Sequence, residues 1–230
     1  MHILIVAATR VEIGSLIETL ESESGAWSTE SDAGSIDAVD KDLSFNIGSK
    51  QIEILITGVG MVATAYALGT HLAVNKYDLV INLGIAGSFD RNIVLGEVVE
   101  IIEDTFSELG AEDDGRFLSL TNLGFGEITY KPNGHPFLNI KQVKAITVNK
   151  VHGNEASIEK IAERLNPQLE SMEGAAVFYA CRQAGIACVQ IRAVSNYVEK
   201  RNRDAWKIGL AVKNLNTFAE SMLRVLNSES

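Results

Sequence analysis

QIEILITGVGMVATAYALGTHLAVNKYDLVINLGIAGSF, residues 51–89, contains two apolar runs of strand length, QIEILIT (51–57) and DLVINLG (78–84). Between them lies a segment of helical character, MVATAYALGTHLAVNK (61–76). Runs that are apolar at nearly every position suit strands covered on both faces, because a half-exposed strand would alternate with polar residues. A strand, a glycine-rich turn, a helix and a second strand in that order predict an α/β fold.

The same alternation extends outward in both directions. Further strands are predicted at HILIVAA (2–8), GEVVEII (96–102), AITVNKV (145–151) and IACVQIRAV (186–194). Ile13, Leu16, Ile17 and Leu20 have the i, i+3, i+4, i+7 spacing of a helix, and EASIEKIAERL (155–165), EGAAVFYACRQAG (173–185) and DAWKIGLAVKNLNTFAESMLRVL (204–226) also read as helices. LSFNIGSKQIEILIT predicts a hairpin through Gly48 and Ser49, which gives the sheet an antiparallel part. Residues 22–42 and 103–140 show weak periodicity and are expected as surface excursions. The reading is a single domain over residues 1–230, with a mixed central β-sheet flanked by helices.

Composition narrows the partners. The chain has 20 basic and 30 acidic residues and a formal charge of −10, which repels nucleic acid and anionic lipid. The opening MHILIVAATR has no basic segment before its short apolar run, so neither a signal peptide nor a membrane span is expected, and the expected location is the cytoplasm. Cys181 and Cys188 form no metal-binding spacing and read as reduced core thiols; no metal and no cofactor is expected.

Open α/β sheets bind ligands where strands end and loops begin, and four such places carry informative residues. Gly58, Gly60 and Ala63 satisfy G-x-G-x-x-[GA], with Asp78 twenty residues beyond Gly58. A dinucleotide site would need its ribose-binding acid at the end of a strand, whereas Asp78 stands at the start of one, so the glycines are read as letting backbone approach a small ligand. INLGIAGSF (81–89) places Ala86 between Gly84 and Gly87; ESMEGAAVFYAC (170–181) leads through Glu173 into a helix of small residues; RAVSNYVEKRNR (192–203) turns from a buried run to Ser195 and Asn196.

Taken in order, these motifs resemble the purine nucleosidase and nucleoside phosphorylase family, whose pattern includes G-x-G before a helix, N-x-G-x-A-G, M-E-[GA]-A and R-A-x-S-[DN]. The SNYVEKRNRDAW extension is similar to the branch that hydrolyses futalosine in an alternative menaquinone route. The resemblance implies a nucleoside phosphorylase-like fold, a small nucleoside substrate and a homodimer or higher homo-oligomer. It also implies Glu173 as the ribose clamp, with Met172 bordering the sugar, and Glu12 as the base that activates water. His152 is expected against the purine, and Gly60, Ile85, Ala86 and Gly87 around the sugar. Asn196 takes the place of the acid that protonates an adenine leaving group, and Ser195 would hold it in orientation. An amide donates a hydrogen bond without surrendering a proton, which favours a 6-oxopurine such as hypoxanthine. Ile85 replaces a serine common in adenine-releasing relatives, and Arg201 or Arg203 is expected to meet a substrate carboxylate. Adenine nucleosidase and phosphorylase remain neighbouring alternatives, the latter through Arg10 and Arg91, and a nucleotide-binding sensor is the non-enzymatic one.

Overall fold

The computed structural model describes residues 1–24, 43–133 and 138–228. Most of the expected 22–42 excursion therefore lies outside the described residues. In chain order the elements are β1 (His2–Ala7), α1 (Arg10–Ser24), β2 (Leu43–Ile47), β3 (Lys50–Ile56), α2 (Met61–Val74), β4 (Leu79–Ser88) and β5 (Val98–Phe106). They continue with β6 (Gly110–Asp113), β7 (Arg116–Ser119), β8 (Thr129–Tyr130), β9 (Gln142–Thr147), α3 (Glu155–Leu165), β10 (Leu169–Ser171), α4 (Gly174–Ala184), β11 (Ala187–Tyr197) and α5 (Ile208–Ser228).

The main sheet runs β10-β9-β5-β11-β4-β1-β3-β2, and β10 also pairs with β4. That extra pairing closes β4, β11, β5, β9 and β10 into a ring, while β1, β3 and β2 extend from it as an open wing. The β2–β3 hairpin is antiparallel, as its Gly48–Ser49 turn predicts. β6 and β7 form a separate two-stranded ribbon at the surface, so the described part of the weakly periodic 103–140 stretch contains regular structure.

The two-sided burial inferred from the strand sequences is visible in β1. Ile3, Ile5 and Ala7 join one core with α1 and α5 residues, and Leu4 and Val6 join another with α2 and α4 residues. Both sets are buried because each face of this strand carries helices, which explains why its sequence does not alternate.

β1, β3, β4 and β11 are mutually parallel along the sheet, so their carboxyl ends open on one edge. β4 does not stop at Gly84 as the sequence reading suggests. It continues through Gly84 and Gly87 to Ser88 because β11 pairs with it along that whole stretch.

Candidate active site

Glu12 is set by the first turn of α1 and by β4. Thr9 donates from its backbone N–H and its hydroxyl to Glu12 Oε2 at 3.0 and 3.1 Å, the first of these being the Glu half of a capping box. Ile85 N–H donates to Oε1 at 3.2 Å. Immediately afterwards the helix kinks: Ile13 has φ −128° and ψ 17°. Buried Asn216, from α5, accepts from Leu16 N–H and donates to the Glu12 carbonyl, both at 2.8 Å. In a regular helix those two backbone groups would bond to each other. The inserted amide replaces that bond and kinks the helix beside Glu12.

Glu173 arrives from another direction. β10 runs antiparallel to β4, pairing Leu169 with Ser88 and Glu170 with Gly87, so the chain travels back toward Ile85 before α4 starts. Glu173 occupies the N-cap position of α4 without capping it. Its Oε1 instead accepts from Gly60 N–H at 2.9 Å. Gly60 has φ +96°, a backbone state that a side-chain-bearing residue rarely adopts, and this aims its N–H at the carboxylate.

Between the acids lies Arg192, fully buried on β11. It donates to Asn82 Oδ1 at 2.6 Å and to the Ile191 carbonyl at 3.3 Å. Its Nη1 and Glu12 Oε1 stand 2.9 and 3.2 Å from where a Cβ on Gly84 would sit, so any side chain at 84 would displace both. Burial raises the Glu173 pKa; Arg192 and the Gly60 N–H oppose the rise, and the nearby Glu12 charge adds to it. Burial lowers the Arg192 pKa, and Glu173, Glu12 and Asp104 oppose that in turn. The result is a buried cation flanked by two partly exposed carboxylates.

The opposite end of the site is built on a β-bulge. β11 slips register against β4 between Val194 and Asn196, which leaves Ser195 as the extra residue. Bulges re-aim side chains. Here the Ser195 hydroxyl lies 2.9 Å from Asn196 Oδ1 and 3.2 Å from the Ala86 carbonyl, and Asn196 Nδ2 donates to the Tyr197 carbonyl at 3.0 Å. Nδ2 lies 3.1 Å from the position of a Cβ on Gly87, and the Glu170 stem lies 3.6 Å from the same point. Glu170 holds His152, whose ring meets Phe89 edge-on at 6.2 Å. Phe89 and Met172 pack on Ile146, Val148 and Ile161 behind them.

The sequence profile of the Phosphorylase superfamily matches residues 2–228. The chain is 33% identical over 189 residues to the futalosine hydrolase of Streptomyces coelicolor, covering 76% of this chain and 80% of the relative. It is 30% identical over 186 residues to the futalosine hydrolase of Thermus thermophilus, covering 76% and 81%. The chain belongs to the phosphorylase superfamily. Its fold matches the 5′-methylthioadenosine/S-adenosylhomocysteine nucleosidase of Colwellia psychrerythraea, solved with adenine, at TM-score 0.75 and 23% identity, covering 97% of this chain and 94% of that one. Within the superfamily its place is among the nucleosidases, which are N-glycosyl hydrolases. No helix among the described residues is long and apolar enough to cross a membrane.

In superfamily terms the residues expected from sequence fall into three groups. Glu12 accepts from Ile85 N–H and Glu173 from Gly60 N–H, and the two carboxylates are near enough for the charge of Glu12 to act on Glu173; Ala86, Gly87, Ser195, Asn196 and His152 gather at the adjoining end, with Met172 behind it. Arg201 and Arg203 stay exposed, with guanidinium carbons 5.0 and 6.0 Å from the Trp206 ring centroid; only the Arg201 backbone reaches inward, donating to the Gly153 carbonyl at 3.3 Å. The two arginines considered for phosphate also face outward: Arg10 lies 3.9 Å from Glu21, and Arg91 pairs with Glu199 at 2.5 Å. Asp78 accepts from His2 N–H at the start of β4 and has no part in the site.

Sequence reasoning missed Arg192, Glu170, Phe89 and Asn216. For Arg192 a signal existed: a lone arginine inside IACVQIRAV is a charge in a run otherwise fit for burial, and buried charges are paired. Likewise T-R-V-E matches the capping-box pattern and would have tied Glu12 to Thr9. Asn216 had no such signal, since its partners are about two hundred residues away in sequence.

Proposed function

We propose that the chain hydrolyses the N-ribosidic bond of futalosine, releasing hypoxanthine and dehypoxanthine futalosine, as a step of menaquinone biosynthesis by the futalosine route. The observation that carries the reading is the pair of carboxylates, Glu12 and Glu173, flanking one buried guanidinium at the strand ends. Breaking an N-ribosidic bond leaves positive charge on the sugar and sends an electron pair to the base, so negative charge beside the sugar lowers the barrier. Glu173 accepts from the ribose hydroxyls and supplies that charge. Glu12 takes a proton from water as its oxygen bonds to C1′. Arg192, buried beside them, offsets part of their charge.

Water is favoured over phosphate as nucleophile on electrostatic grounds. A phosphate would have to enter beside two carboxylates, while Arg10 and Arg91 point elsewhere. At the base, Asn196 offers an N–H to O6, where negative charge collects in a 6-oxopurine. The names of the two curated relatives support futalosine as the particular substrate. The exposed cations Lys200, Arg201 and Arg203 follow Asn196 on the same loop, and one of them is the candidate partner for the carboxylate of its carboxyphenyl group.

The test is to incubate the protein with futalosine, inosine and methylthioadenosine, with and without phosphate and with EDTA, and to identify base and sugar products. The expected result is hypoxanthine and free sugar from futalosine at a rate independent of phosphate and of chelator. Ribose 1-phosphate products, or adenine release alone, would reject the proposal.

A further inference from the structure

Asn196 leaves a gap in the chemistry. The electron pair of the breaking C1′–N9 bond enters the purine, and hypoxanthine departs most readily as the neutral molecule, so a proton must reach the ring; an amide cannot give one. Another group on the same wall can. Glu170, 3% exposed and on β10, accepts from the His152 backbone N–H at 2.9 Å and from ring Nδ1 at 2.6 Å. A carboxylate accepts only, so Nδ1 carries a proton and Nε2 is the ring nitrogen that Glu170 does not engage. Both Glu170 oxygens are spent on this one residue, which fixes the position of its backbone and the rotation of its ring together.

The pair stands at the base end of the site. The Glu170 stem and Asn196 Nδ2 lie within 3.6 and 3.1 Å of the same point above Gly87, and the Phe89 ring meets the imidazole edge-on with centroids 6.2 Å apart. The Arg201 N–H bond to the Gly153 carbonyl ties the loop after Asn196 to the segment that carries His152. The segments that carry His152 and Asn196 are thus joined at the base end of the site.

We propose that His152 is the general acid that protonates the leaving base and that Glu170 is its positioning residue. This rests on the nucleosidase reading above. In the step, the C1′–N9 pair flows into the ring and N7 takes the proton from Nε2 of the imidazolium, which becomes neutral imidazole. Water adds to C1′ and gives its proton to Glu12. After the products leave, Glu12 returns its proton to solvent and His152 regains one, so the cycle closes without a co-reactant. Asn196 meanwhile holds O6.

A leaving group that needs no proton separates this role from a merely structural one. Futalosine methylated at N7 already carries a cationic purine and departs as a neutral base. His152→Gln keeps an N–H donor of similar reach and loses the transferable proton. It is expected to lower kcat on futalosine by about 100-fold or more, the range of general acid catalysis, and to lower kcat on the N7-methylated substrate by only a few-fold. Glu170→Gln, whose single carbonyl can accept from only one of the two His152 N–H groups and which lacks the charge, should show the same selectivity with a smaller loss. Equal losses on both substrates in either variant, or no loss on futalosine, would overturn the assignment while leaving the hydrolase reading intact. Failure of the unmodified protein to release base from futalosine would instead remove that reading, and this assignment with it.

Discussion

Asn196 carries both of its protons on Nδ2, and one of them is already given to the Tyr197 carbonyl. Its Oδ1 faces the Ser195 hydroxyl, so the donor end of the amide is the end turned toward Gly87. Asn196→Asp is therefore expected to set an acceptor against the O6 acceptor of hypoxanthine, while an adenine would offer N6–H to the new carboxylate. An unsatisfied buried polar group costs about 1–3 kcal/mol. At about 1.4 kcal/mol per decade, the ratio of kcat/KM for futalosine to that for methylthioadenosine should fall roughly tenfold or more. Steady-state kinetics of both proteins on both substrates measure it, and an unchanged ratio would mean that Asn196 does not touch the base. The residue types at this site were legible in sequence: M-E-G-A and R-A-V-S-N mark Glu173 and Asn196 by their order along the chain. The orientation of the Asn196 amide was not, because it depends on a bulge created by pairing with β4.

The element that most depends on a distant partner is α1. Its periodic Ile13, Leu16, Ile17 and Leu20 are buried as the spacing predicts, yet the helix does not run regularly through them. The kink beside Glu12 exists because the Asn216 amide replaces one backbone hydrogen bond with two of its own. Asn216→Leu removes both and leaves a buried N–H and C=O either unpaired or rejoined in a straighter helix. Stability is expected to drop by about 1–3 kcal/mol, the cost of a buried unsatisfied polar group. Straightening the helix would also draw Glu12 away from Ile85 and lower kcat; denaturant unfolding and steady-state kinetics read the two effects. Wild-type values of both would show that the kink is incidental. β10 offers the same lesson at strand level. Three residues, LES, are too short for any periodicity signal, yet their antiparallel pairing with β4 carries the chain back to present Glu173 at the centre.

On the scale of the whole molecule, the ring of strands encloses charge. Burial pushes the Asp104 carboxyl up from 3.8 to about 7, against bonds from Thr147 and the charge of Arg192, with the Glu173 charge adding to the rise. The folded protein thus holds a proton on Asp104 between about pH 4 and pH 7, where the unfolded chain has released it, so this group's stabilising contribution is complete below pH 4 and is lost as pH rises through 7. Asp104→Asn has no such proton to lose. From pH 5 to pH 8 the unmodified protein should lose stability relative to the Asn variant, as read from urea midpoints at both values, and parallel pH dependences would contradict the buried-proton account. What sequence alone determined about this protein is whatever local pattern records: two-sided burial of the strands, the hairpin at Gly48–Ser49, the helices, and the motif order that identifies the superfamily. What only the tertiary structure decided is the assembly of the charges: Arg192 between Glu12 and Glu173, Glu170 on His152, Asn216 in the break of α1. The reason is physical. A side chain's neighbours within a helix or strand follow from its spacing, whereas partners across the β4–β10 closure or the α1–α5 contact lie up to about two hundred residues apart and are fixed only when the sheet closes and the helices pack on it.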